Sequence, residues 1–174
     1  MTGDSIGISH ALMDCMVVAP DLTSSITHTL RRTYGWLELG CAKEALNELE
    51  ELPDVLHSSR DVLKLKCKIL ATEGNWEQLR DLSSTSSKYY PAEPTFAEHW
   101  AWAEHKTGRS EQAYSLLLEA SEKFERTWRT NYFLACFAHS IKRADEAAEW
   151  LGHAFLLHSA PAQLKELALE EFRS

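Results

Sequence analysis

The sequence is poor in the residues that punctuate a chain. Seven glycines and five prolines in 174 residues are too few for a disordered or many-turned all-β protein. Basic charge is also short: 18 Lys and Arg stand against 26 Asp and Glu, a net charge of −8, and no basic run occurs. That balance argues against nucleic acid or an anionic membrane surface as the main partner. No apolar run reaches the length of a membrane span. Four cysteines, Cys15, Cys41, Cys67 and Cys136, are widely separated, with no C-x-x-C pair and no zinc spacing, so they read as reduced thiols and favour a cytoplasmic setting. Motif chemistry is missing too. The chain contains no G-x-x-x-x-G-K phosphate loop, no G-x-G-x-x-G, no H-E-x-x-H and no G-x-S-x-G. His99 and His105, like His153 and His158, fall at spacings that do not stack two imidazoles on one helical face. No catalytic residue, metal site or cofactor is therefore expected, and an enzyme is not the favoured reading.

What is present is a period. Leu63, Cys67 and Leu70 recur at helical spacing, Gly74-Asn75-Trp76 makes a turn, Leu79 and Leu82 resume the pattern, and Tyr89-Tyr90-Pro91 ends it. Gly40 and Gly108 lie 34 residues to either side of Gly74, and a further 34 residues lead to Lys142. Five residues past these positions stand Ala45, Leu79, Ala113 and Ala147. A fixed period of this length marks stacked helical hairpins. A lysine at the fourth turn predicts a turn that avoids the left-handed conformation glycine tolerates.

The chain resembles the tetratricopeptide repeat (TPR) family over about residues 26–160. The resemblance rests on the turn glycines, on Thr33, Cys67, Ala101 and Ala135 where first helices cross, and on Ala45, Ala113 and Ala147 in the second helices. Ala120 and Ala154 match further down, Leu52 and Ser86 do not, and the first repeat is divergent. It implies an all-α, right-handed superhelical solenoid of four hairpins, at about 26–57, 58–91, 94–125 and 127–159. Residues 161–174, with Leu164, Leu167, Ala168 and Phe172 among charged neighbours, read as a C-terminal capping helix. Residues 1–25 read either as a tail or as an extra helix with Ile8, Leu12 and Met16 on one face; the lack of a positively charged start and the interruption by Asp14 argue against a signal peptide.

Local signals place the helix ends. Ser24-Ser25 can cap the first helix, Ser58 with Asp61 resembles a capping box, and Pro94 suits the first position of a helix. The run Ser83 to Ser87 predicts the weakest helix of the array: a helix poorly favoured by its residues and pinned by neighbours, or else a flexible or modified cluster. Trp100 reads as core and Trp102 as pointing elsewhere.

In the TPR family the first helices line a concave groove that holds partner peptides. The matching face here carries Leu30, Tyr34 and Leu37, then Asp61, Lys64 and Lys68, then Glu98, Trp102, His105 and Lys106, then Arg129, Tyr132, Cys136 and His139. The expected partner is a protein or peptide bearing carboxylates and one apolar anchor, with Trp102 and Tyr132 stacking and the lysines steering. The alternative is that these side chains are ordinary solvated surface and that Trp102 is partly covered by the next helix. Lys64 and Lys68 partly fit the family's carboxylate clamp, but its asparagines are absent, with Lys68 and His99 where they would lie. Two functional classes follow from the resemblance: a protein-binding adaptor or scaffold, and a small chaperone like those of type III secretion translocators, self-associating through residues 1–25.

Overall fold

A computed structural model describes residues 20–157, with side chains described from Ile26 onward. The expectations for the amino-terminal segment and for the C-terminal capping helix lie outside the described residues. Among the described residues the chain is all-helical, with no strand. The helices are α1 (Pro20–Glu38), α2 (Ala42–Glu50), α3 (Arg60–Glu73), α4 (Trp76–Tyr89), α5 (Pro94–Lys106), α6 (Ser110–Ala120), α7 (Trp128–Ser140) and α8 (Ala144–Leu156). The chain divides between His57 and Ser58 into two compact units.

The first unit holds the α1–α2 hairpin. Thr29, Thr33 and Leu37 form a buried stripe on α1 that meets Ala45 and Leu49 of α2. Thr33 satisfies its buried hydroxyl by donating to the Thr29 carbonyl at 2.9 Å. At the surface Arg32 pairs with Glu48 at 2.7 Å, and the Trp36 indole donates to Glu48 at 3.3 Å, tying the two helices together. Helix α1 already begins at Pro20, so Ser24 and Ser25 lie within it rather than capping it.

The second unit holds three further hairpins. Consecutive helices from α3 to α8 pack on one another, and α3 also packs on α5 and α5 on α7, which sets the first helices of the pairs side by side. Close approach within each pair needs small side chains where the axes cross. Those positions are Ala101 with Ala113 and Ala135 with Ala147, all essentially inaccessible. In the α3–α4 pair Cys67 and Leu79 take the same places, both fully buried. Phe96 and Phe137 are the largest fully buried side chains and fill the layer between pairs.

The four turns within the hairpins are closed by the same pair of backbone hydrogen bonds. The amide of Cys41, Asn75, Arg109 or Arg143 reaches back five residues to the carbonyl of Trp36, Leu70, Glu104 or Ala138, at 2.8–2.9 Å. The preceding amide bonds three residues back, at 2.9–3.2 Å. This termination needs one residue in the left-handed region. Gly40, Gly74 and Gly108 supply it with φ of 74°, 70° and 83°. Lys142 supplies it as well, with φ 65°, so the fourth turn does not avoid the glycine conformation but imposes it on a lysine. The two hydrogen bonds closing the turn outweigh a backbone penalty of about 1 kcal/mol.

Helix starts follow local chemistry unevenly. Pro94 occupies the first turn of α5, as its fixed φ favours. Thr127 caps α7 in a reciprocal box with Thr130, its hydroxyl accepting the Thr130 amide at 3.1 Å. By contrast, Ser59 rather than Ser58 precedes α3, and no side chain caps that helix. Ser58 instead offers its carbonyl to the Tyr90 hydroxyl at 3.4 Å. The serine run lies wholly inside α4. Ser83 and Ser86 are buried, and Ser83 donates to the Leu79 carbonyl within its own helix. Small size lets α4 sit close against its neighbours, which offsets the weak propensity of the run.

Candidate functional site

The face shared by α3, α5 and α7 is built in the 34-residue register. Asp61, Lys64 and Lys68 on α3 correspond to Thr95, Glu98 and Trp102 on α5, and to Arg129, Tyr132 and Cys136 on α7. Asp61 and Lys68 are exposed, Trp102 is half-buried, and Glu98, Tyr132 and Cys136 are buried. Tyr34, in the first unit, is 45% exposed on α1.

Several of the expected groove side chains serve the packing of this face. Lys64 reaches Glu93 at 3.2 Å, fastening α3 to the start of α5, where Glu93 also accepts the Thr95 hydroxyl at 2.8 Å. Burial alone would raise the Glu93 carboxyl, but bonds from Thr95 and Lys64 and the lysine charge outweigh it and hold the carboxyl below its usual range. Glu98 is 2% exposed and receives the hydroxyls of Thr130 at 2.7 Å and Thr127 at 3.0 Å, with the Arg129 guanidinium at 3.8 Å. Burial pushes this carboxyl up despite those partners. Glu98 thus clamps α5 onto the capping box that starts α7.

Trp102 stacks on Phe133 with ring centroids 4.7 Å apart and touches His105 and Phe137. The Lys106 ammonium sits over its ring, 4.5 Å from the centroid. The indole is a pillar between α5 and α7, partly covered by the next helix. His105 is held by Ser110 at 2.9 Å and packs on Phe137. Tyr132 is 9% exposed beside Phe133, which leaves little of its ring to meet a ligand. His139 is half-buried on the last turns of α7.

Two further residues contribute to this face: His99, expected only to stand where a clamp asparagine would lie, and Phe133, which was not singled out in the sequence. His99 bonds the Thr95 carbonyl through Nδ1 at 2.7 Å. Burial, with Arg129 and Lys68 nearby, pushes its imidazole down to about 4, so it is neutral at neutral pH. Phe133, in the same repeat position as His99, supplies the stacking partner of Trp102. The repeat frame itself was the available signal, because it puts residue 99 and residue 133 at one helical position.

Chemically, the face offers cations and half-buried aromatic edges rather than a reacting group. Lys68, Lys106 and Arg129 are exposed along it. Cys67 and Cys136 are buried, and burial pushes the Cys67 thiol up to about 12, which removes its nucleophilic form at neutral pH. Among the described residues no group of three or more His, Cys, Asp or Glu side chains is placed to hold a metal ion, and no helix is long and apolar enough to cross a membrane. No family model and no curated protein matches the chain.

Beside α6 in the same unit, Trp100 is half-buried rather than core. Its indole donates to the buried Glu104 carboxylate at 3.3 Å, which also holds the Arg109 guanidinium.

Proposed function

We propose that the chain is a TPR-like helical-repeat scaffold that binds a protein segment along the face of its first helices, without catalysis of its own. The observation that carries this reading is the side-by-side packing of α3, α5 and α7, which aligns equivalent repeat positions into one continuous surface. Four identical turn closures at 34-residue spacing support the family reading. Exposed Lys68, Lys106 and Arg129 on an otherwise acidic chain favour a partner carrying carboxylates, since complementary charge steers encounter and register. Trp102 and His105 contribute their exposed edges beside these cations as the apolar part of the surface.

The test is affinity capture from a native cell extract, comparing the wild-type protein with Lys68→Glu/Lys106→Glu by mass spectrometry. Both lysines are exposed, so circular dichroism is expected to be unchanged. A partner retained by the wild type and lost by the double variant supports the reading. Partners held equally by both place binding elsewhere on the chain and overturn it.

A further inference from the structure

First helices pack along the second unit, but their partners α4 and α6 meet one another far less, since α5 lies beneath them. A cleft of about 550 Å³ opens between α4 and α6. Its size lies within the usual range of ligand sites. Trp100, Leu116, Ala120 and Pro91 give it apolar walls. The indole N–H is already satisfied by Glu104, so the Trp100 ring makes no polar demand on whatever enters.

The rim is charged on both sides. Lys88 ends α4 and Lys123 closes the short turn after α6, with Glu119 as the single opposing carboxylate lining the cleft. Neither lysine makes an ion pair among the described residues, whereas Lys64, Arg109, Arg129 and Arg143 are all paired. Two unpaired ammonium groups flanking an aromatic floor complement a carboxylate next to an apolar side chain. The Gln112 amide also lines the cleft and can both donate to and accept from a peptide backbone.

We infer that the α4–α6 cleft is a second docking site, distinct from the first-helix face, for a protein segment in which an aromatic side chain is flanked by carboxylates. The aromatic side chain stacks on Trp100, the acidic residues meet Lys88 and Lys123, and the main chain bonds Gln112.

The experiment follows the indole N–H resonance of Trp100 in the full chain labelled with ¹⁵N-tryptophan, assigned by its disappearance in Trp100→Phe. The probes are a pool of octapeptides with a fixed central Phe among Asp and Glu, the same design with Lys and Arg, and phenylacetate as a small aromatic carboxylate. Saturating shifts with the acidic pool are expected, weakened at least tenfold in Lys88→Glu/Lys123→Glu and unchanged in Lys68→Glu/Lys106→Glu. Circular dichroism confirms that the variants fold. The inference is overturned by no saturating shift with the acidic pool, by an equal response to the basic pool, by phenylacetate binding as tightly as the peptides, or by undiminished binding in Lys88→Glu/Lys123→Glu. Such a failure leaves the first-helix face untouched, because that reading is tested through different lysines.

Discussion

Lys142 holds the conformation that Gly40, Gly74 and Gly108 hold at the other three turns. The backbone strain of a side chain with φ 65° exceeds the extra chain entropy a glycine would lose. Lys142→Gly is therefore expected to stabilise the protein by about 1 kcal/mol, seen as a rise of roughly 3 °C in thermal unfolding. The sequence located this turn but not its shape, because spacing fixes where a chain reverses and the two closing hydrogen bonds decide how. Cysteine reactivity sorts by burial at the same scale. Cys41 is half-buried at a turn, whereas Cys67 is buried with its thiol pushed up to about 12. Alkylation of the native protein at pH 8 is expected to modify Cys41 readily and Cys67 only after unfolding, read by peptide mass mapping. Comparable native-state rates at both positions would contradict the packing described for the α3–α4 crossing.

Helix α5 carries two titrating groups that the fold shifts in the downward and upward directions, His99 and Glu98. His99 is neutral in the fold with a value of about 4, against 6.5 for the free side chain. Between those pH values the unfolded chain binds a proton that the folded chain excludes. Stability from this group is complete above pH 6.5 and is lost as pH falls toward 4, on the order of 2–3 kcal/mol. His99→Gln is expected to flatten that part of the stability profile in urea titrations. Glu98 acts with the opposite sign. Its carboxyl is raised by burial, so its contribution is fully present below about pH 4.5 and is lost as pH rises through its folded value. Glu98→Gln keeps an acceptor for Thr127 and Thr130 and is expected to remove that loss. Trp102→Ala should cost about 2–3 kcal/mol, because the stacked contact with Phe133 joins α5 to α7. The repeat frame, through the family resemblance, assigned Trp102 and Glu98 to a partner groove, whereas in the structure both pack between α5 and α7. The frame could not tell that the neighbouring helix comes close enough to claim them, since inter-helix distance depends on small residues such as Ala101 and Ala135 acting together.

For the whole molecule, hairpin order and turn positions were legible because each is encoded within a few dozen residues and then repeated. Thr33, Cys67, Ala101 and Ala135 are fully buried, as the crossing positions required. The side-chain contacts of the proposed binding face were less legible. Lys64 is engaged by Glu93, which precedes α5 as Ser59 and Thr127 precede α3 and α7, and His99 is held neutral by burial first, with Arg129 and Lys68 on the flanking helices adding to it. The α4–α6 cleft had no sequence signal at all, because it arises from the gap between those helices rather than from any motif. The proposed scaffold binding along the first helices makes its most direct prediction through contact mapping. A photoreactive phenylalanine at position 68 or 106, and as a control at exposed Asp145 on α8, would be irradiated in native cell extract and the adducts identified by mass spectrometry. The account predicts one protein crosslinked from both 68 and 106 and not from 145, through a segment rich in carboxylates. Adducts shared equally by all three positions, or formed at 145 alone, would contradict it.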